Sequence, residues 1–436
     1  MCALAVVAAC SGDTDPKSDP TKPTSSSATP IDLTFGVYGE PDEVAAYQEV
    51  ADAYNAEHPE VTVKIEATRS EAESMTAVET GAAPDIYLAN SRNLHKLQTE
   101  ELTQPVDELL DERGVDFGDG YQRGALLAFS GNNALQCMPY AISPMVIYYN
   151  TDLINFQAMR NRDIDAPSEH STWTLAQFAA AAQWATQPKK KARGVHIDPT
   201  LDGLAPFVYS GGGTVFDDDL EPTATSFSSD GSRGALEETL EVLRNPHVTL
   251  TDKQLQRRSA VEWFEAGRLG MIAGYRDLVP ELRKAKGLNF DVMAMPVLDD
   301  KTTVGDVTGI CLSAETDHDA AADFLVHLLS VESVTTVAEA GYIVPANLEV
   351  AVSDAFIQPS LLPAHGSTFN ATIRHIIPPP MVPDWTAVDE AVAQGLQELM
   401  DVPVLDAEEI TTTTEEIDEA SRAILSPEDE SESPSD

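Results

Sequence analysis

The chain is poor in positive charge: 27 Lys and Arg stand against 72 Asp and Glu, for a formal net charge of −45 over 436 residues. That balance excludes nucleic acid as a partner, because binding to phosphate backbones depends on Lys and Arg that release counterions. It favours solubility and repulsion from anionic surfaces. Long apolar runs are also missing, and none approaches the roughly 20 residues of a membrane span. Cysteine is scarce: of Cys2, Cys10, Cys137 and Cys311, none forms a CxxC or a Cys/His metal spacing. Two of the four lie in the leader, so Cys137 and Cys311 are left in the folded part, either as a disulfide or as two buried thiols. Reaction motifs are absent as well. There is no HExxH, no GxSxG elbow and no Walker loop. The glycines of YSGGGT lack a phosphate-binding context, and Asp217-Asp218-Asp219 lacks the Gly and Glu of a calcium loop. No cofactor or metal is expected. Carboxylates are too abundant for any pair of them to specify a glycosidase.

What is present reads from the front. Residues 1–10, MCALAVVAAC, resemble the end of a lipoprotein signal peptide, with Val7-Ala8-Ala9-Cys10 as the lipobox and Cys10 as the lipidated residue. The leader departs from that pattern in having no basic start and only a short apolar stretch. Residues 11–30 are rich in Ser, Thr, Pro and Asp and read as a flexible tether. IDLTFGVYG then alternates as a strand, Pro41 opens a helix to about His58, VTVKIEAT (61–68) is a second strand, a helix covers 70–81, and PDIYLAN (84–90) is a third. This alternation predicts an α/β fold with a parallel sheet. From Cys137 to Asn150 a β-rich run carries Pro139 and Pro144. The run reads as two short strands joined by a bend, able to leave one sheet and enter another, or as one buried strand with an irregular start.

The second half is richer in helix. TWTLAQFAAAAQWATQ (172–187) is helical with Thr172 or Thr174 as cap, and PKKKARG (188–194) is a solvated basic turn. A helix over 232–245 follows. Residues 261–285 read as helix, turn, strand, loop and helix. Strands are expected at 290–297 and 304–314, helices at 318–330, 380–400 and 407–425, and the end (426–436) is a disordered acidic tail.

Taken in order, these segments resemble the sugar-binding, maltodextrin-binding-protein-like family of extracellular solute-binding proteins of ABC transporters. The resemblance spans about Ile31 to Leu425. It rests on EVADAYNAEHPEVTVKIEA, TGAAPDIYLAN, MPYAISPMVIYYNTDLI, TWTLAQFAAAA, YSGGGTVFDDD, WFEAGRLGMIAGYRDLVPEL, GICLSAETDHDAAADFLVHLLS and PPPMVPDWTAVDEAVAQGLQEL. It implies a type II periplasmic-binding-protein-like fold. Two discontinuous α/β lobes, 31–139 with 306–350 and 144–303 with 351–425, are joined by a hinge whose first crossover bends at Pro139–Pro144, and solute is held in the cleft between them.

It also implies a lipid-anchored, monomeric, non-enzymatic protein on the extracellular face of the cell membrane that serves the permease subunits of an importer. By position in the family pattern, the ligand contacts are Glu40, Asn90, Arg92, Ser143, Tyr275, Arg276, Asp306 and Trp385. Tyr275 and Trp385 would be the stacking aromatics. Glu40 reads equally as a solvated charge at a helix start. The strands holding Cys137 and Cys311 run side by side in this family, which implies their disulfide. The solute implied is a sugar. With aromatics scarce, a polyamine or other cation is the alternative, and a secreted glycoside hydrolase a more distant one.

Overall fold

A computed structural model describes residues 30–316, 318–401 and 405–427. The leader with Cys10, the tether up to residue 29 and the tail from residue 428 lie outside the described residues. Two sheets organise the rest. The first contains β1 (Ile31–Tyr38), β2 (Val61–Thr68), β3 (Ile86–Asn90), β4 (Thr103–Gln104), β7 (Met138–Pro144) and β12 (Gly305–Ser313). A two-stranded hairpin, β5 (Ser130–Gly131) with β6 (Ala134–Leu135), precedes β7. The second sheet has the order β11 (Phe290–Met293), β8 (Val146–Asn150), β10 (Leu269–Gly274), β9 (Arg193–His196).

Local chemistry explains the elements. β2 alternates β-branched and polar residues, so Val61 and Val63 face inward while Thr62 and Lys64 face water. β3 lies between β1 and β12 with both faces covered, and all five of its residues are buried. The helix Pro41–Glu57 starts on proline and buries Tyr47, Val50, Ala51 and Tyr54 along one stripe. Thr174, rather than Thr172, caps the helix Leu175–Ala185, in a capping box with Gln177.

The parallel sheet expected from the strand–helix alternation is present only in part. β1 pairs in parallel with β2 and β3, joined by helices. β12 runs antiparallel to β3, β4 and β7, and β8 runs antiparallel to β10 and β11. These strands arrive by passage between lobes rather than through a local βαβ unit, so nothing forces them parallel.

The bend in the Cys137–Asn150 run also lies elsewhere than expected. Pro139 to Pro144 form a strand against β12, from Pro144↔Gly305 to Pro139↔Gly309, with a bulge that leaves Tyr140 as the extra residue. The prolines are accommodated because β7 is an edge strand of that ladder. Its other side exchanges hydrogen bonds with a loop, Ile142 N–H donating to the Val344 carbonyl and Ala346 N–H to the Tyr140 carbonyl, each 2.9 Å. The break is the single residue Met145, after which β8 enters the second sheet.

Two further passes of the chain lie beside it. Met145 N–H donates to the Val304 carbonyl, and Thr303 exchanges backbone hydrogen bonds with His375 and Ile377, each 2.9 Å. Gly305 is required there, because a Cβ would meet the Ile376 side chain at 2.6 Å. The connecting segment before Ile377 touches both lobes: the helix Asp354–Ile357 packs on Val331–Ala340, and Phe369 packs against Tyr148 of β8.

Cys137 and Cys311 are bonded, with Cα atoms 4.4 Å apart, and close a loop of 174 residues. Cross-linking so long a loop removes entropy from the unfolded chain, an effect worth about 2–5 kcal/mol. We expect the Cys137→Ala, Cys311→Ala double variant to lose that much unfolding free energy in denaturant titrations, with a lower midpoint and an m-value no smaller than that of the wild type, because the unlinked unfolded chain exposes more surface; a midpoint equal to that of the wild type would contradict a stabilising role for the bond.

Candidate functional site

The loops after β1, β3 and β10 and the starts of three helices converge between the two sheets. From the first lobe, Asn90 ends β3 and caps the turn Ser91–Asn93, which delivers Arg92. Asn90 donates through its amide to Asp306 of β12, and Glu71, at the start of the helix Glu71–Glu79, accepts from the Asn90 backbone at 3.0 Å. From the second lobe come Asp202, in the first turn of the helix Leu201–Ser210 where the helix dipole favours an anion, Tyr275 just after β10, and Trp385, which opens the helix Trp385–Asp401.

Arg92 is the centre of this arrangement. Its guanidinium pairs with Asp202, lies 4.0 Å from Asp389, and sits 4.6 Å from the centroid of the Trp385 ring. Asp202 in turn accepts from the Tyr275 hydroxyl at 3.0 Å. Trp385 meets Phe216 edge to face at 5.6 Å, and its Nε1 is buried without a hydrogen-bond partner. That donor is one a ligand oxygen would satisfy. Cavity space here is small, about 30 Å³ among Arg92, Asp202, Tyr209, Phe216 and Trp385, and a second cavity of about 390 Å³, also bordered by Arg92 and Trp385, lies beside Glu71, Lys96 and Asp389. The smaller volume holds about one water. The two lobes meet at this point through the Arg92–Asp202 pair and the contact of Arg92 with Trp385.

Carboxylates crowd the same region. Burial, with Asp277 next, pushes Glu43 up to about 8. Burial and then Asp306 push Glu71 up to about 7, and burial and then Asp277 raise Asp306 to about 6. Asp277 and Asp389 are raised by burial. Tyr275 is held protonated by burial and by Asp202. For Arg92, burial opposes the charge, but Asp202, Tyr275 and Asp389 outweigh it and strengthen the cation.

Of the eight residues expected from the sequence, the structure brings together Asn90, Arg92, Tyr275, Asp306 and Trp385. Glu40 stays exposed at the head of its helix, where its carbonyl, not its carboxylate, receives the N–H groups of Glu43 and Val44. Arg276 is a correction. Fully buried, it turns away from Tyr275, donates to the carbonyls of Gly341 (2.9 Å) and Phe356 (3.1 Å), and lies over the rings of Phe356 and Phe369. It fastens the connecting segment rather than reaching the cleft. Ser143 is corrected with it, because its hydroxyl accepts the Arg276 N–H at 2.9 Å inside the protein. Sequence reasoning missed Asp202, Glu43, Glu71, Asp277 and Asp389. Only Asp389, one helical turn beyond Trp385, and Asp202, two residues past its cap Thr200, carried a local signal.

The profile of the bacterial extracellular solute-binding protein family matches residues 49–364. Among solved structures, the chain is similar to an ABC substrate-binding protein of Listeria monocytogenes in complex with cycloalternan (TM-score 0.75, 18% identity, 89% of this chain and 98% of that one). It is similar to the GacH receptor of Streptomyces glaucescens, solved unliganded and with acarbose (TM-score 0.73, 16% identity, 91% and 98%). A Thermus thermophilus maltotriose-binding protein with bound maltotriose gives a TM-score of 0.69 at 16% identity, over 89% and 99% of the two chains.

The raised carboxylates set a pH dependence. Glu43, Glu71 and Asp306 bind protons more tightly in the folded chain than unfolded, where such groups titrate near about 4. The folded state thus carries extra protons between about pH 4 and 8, and their contribution to stability falls as pH rises through that window. We expect the Glu43→Gln, Glu71→Gln double variant to lose less stability than the wild type between pH 5 and pH 8 in denaturant titrations; equal slopes would contradict the assignment.

Proposed function

This chain belongs to the bacterial extracellular solute-binding proteins, and we propose that it captures a carbohydrate between its lobes and delivers it to the permease of an ABC importer. The observation that carries the reading is the Arg92 cluster. A guanidinium from one lobe meets Asp202, Tyr275 and Trp385 of the other. Saccharides present pairs of hydroxyls, which planar Arg and carboxylate groups bind in two-pronged fashion, and an apolar C–H face, which an aromatic ring covers. The three solved relatives carry saccharides or a saccharide mimic, in agreement with that chemistry. Solute seated here would touch both lobes only when they are closed, so binding shifts the population toward closure. No covalent bond is made or broken.

We place the first lobe at 31–144 with 305–350 and the second at 146–303 with 351–425, connected at Met145, at Thr303–Gly305 and through the segment ending at Ile377. Anchoring by a lipid on Cys10, at the extracellular face of the cell membrane, follows from Val7-Ala8-Ala9-Cys10 and the polar tether behind it. The protein acts as a monomer.

One observation favours a second reading. Glu43, Glu71, Asp277 and Asp306 lie close enough to act on one another in pairs, with Arg92 near Glu71 and Asp306, an environment suited to a cationic solute such as a polyamine. A thermal-shift and calorimetric panel of maltotriose, cyclic α-glucans and spermidine separates the two. We expect a saccharide to raise the melting temperature, by the equivalent of about 2.7 kcal/mol at 100 times its Kd. Trp385→Ala and Arg92→Ala should each weaken its binding about tenfold or more. A response to spermidine alone would replace the carbohydrate by a cation, and silence across the panel would remove both.

A further inference from the structure

Away from the cleft, three residues distant in sequence meet around one buried carboxylate. Asp291 lies in β11 and is 4% exposed. Its Oδ1 is fixed by two backbone donors, Val292 N–H at 3.0 Å and His365 N–H at 2.9 Å. Its Oδ2 faces two imidazoles: Nδ1 of His365 is 2.6 Å away and Nε2 of His170 is 3.7 Å away. The Tyr149 hydroxyl of β8 closes the group, 3.0 Å from His170 Nε2 and 3.5 Å from Asp291 Oδ2. The three ligating atoms of His170, Asp291 and His365 lie within 4.8 Å of one another. We propose that His170, Asp291 and His365 form a binding site for one divalent transition-metal ion of the zinc class.

Two imidazoles and one carboxylate are the donor set of zinc, copper and nickel, whereas calcium and magnesium take oxygen donors. Zinc holds such atoms at about 2.0–2.2 Å in a tetrahedron, which places them about 3.3 Å from one another. The gathered atoms are therefore near ligating distance before any ion arrives. The arrangement around them is also that of a supported site: one oxygen of the carboxylate is pinned by amides and the other is left for the ion. One adjustment is needed. The rings of His170 and His365 stack, with centroids 3.5 Å apart and planes 10° from parallel, and an ion cannot lie in both planes at once. His365 is the ring free to turn, because its side chain is 48% exposed on a loop while His170 is held against Tyr149. A water completes the coordination. The ion would fasten the connecting segment that carries His365 to the second sheet, independently of solute in the cleft. The separation of 74 residues between Asp291 and His365 hides the site from any search by motif spacing.

The test is calorimetric titration of the chelator-treated full chain with zinc chloride, alongside His170→Ala, His365→Ala and a magnesium control. We expect one equivalent of zinc to bind at micromolar concentration or below, with a higher melting temperature, and each His variant to weaken it at least tenfold. His365 is exposed, so its variant keeps the test valid even if changes at Asp291 unfold the chain. The absence of saturable binding, a wild-type affinity in His365→Ala, or the same response to magnesium would each overturn the site.

Discussion

Met145 is the only residue between a strand of the first sheet and a strand of the second. β7 and β8 are buried along their whole length, so neither sheet can be displaced far without breaking a ladder. The rest of the architecture follows from this constraint. The return strand β12 passes directly beside the crossing, held by the Met145–Val304 hydrogen bond, and the third connection lies against Thr303. Three chain passes in contact make a hinge narrow enough to bend and too short to drift. The Cys137–Cys311 bond locks β7 to β12 on the first-lobe side and does not span the cleft, which leaves bending free. Arg276 adds a second tie behind the hinge by holding Gly341 and Phe356.

In front of the hinge, charge governs. A chain with 72 acidic residues has placed several of them near one half-buried arginine. Closing the lobes takes these carboxylates out of water, and burial raises Glu43, Glu71, Asp277 and Asp306 together. On the proposed function, closure without solute would work against desolvation and mutual repulsion, offset in part by the Arg92–Asp202 pair. A ligand that supplies hydroxyl donors, or a positive charge, relieves the same groups. On the proposed function, that electrostatic cost would make closure depend on solute.

Much of the fold was legible in the sequence, because hydrophobic period and punctuation agreed. VTVKIEAT occupies Val61–Thr68, and the last helix runs Ala407–Leu425 as its pattern indicates. What failed was geometry beyond one element. Strand direction in β12 depends on how the chain returns, which no local pattern records. Pro139 and Pro144 looked like a bend but lie in an edge strand, where a missing N–H matters little. In the site, Arg92 and Trp385 were readable through their positions in the family pattern, with tryptophan rare in this chain, whereas Asp202 was lost among the many carboxylates. Arg276 misled by adjacency: the residue after Tyr275 points into the protein, so neighbouring positions served opposite purposes.

The central claim is that solute is held between lobes that close around Arg92. Small-angle X-ray scattering of the protein, free and saturated with a saccharide it binds, tests this most directly. The account predicts a smaller radius of gyration in the saturated protein, with the loss of that contraction when Arg92 is replaced by Ala. A saccharide that binds fully while the radius of gyration stays unchanged would contradict it.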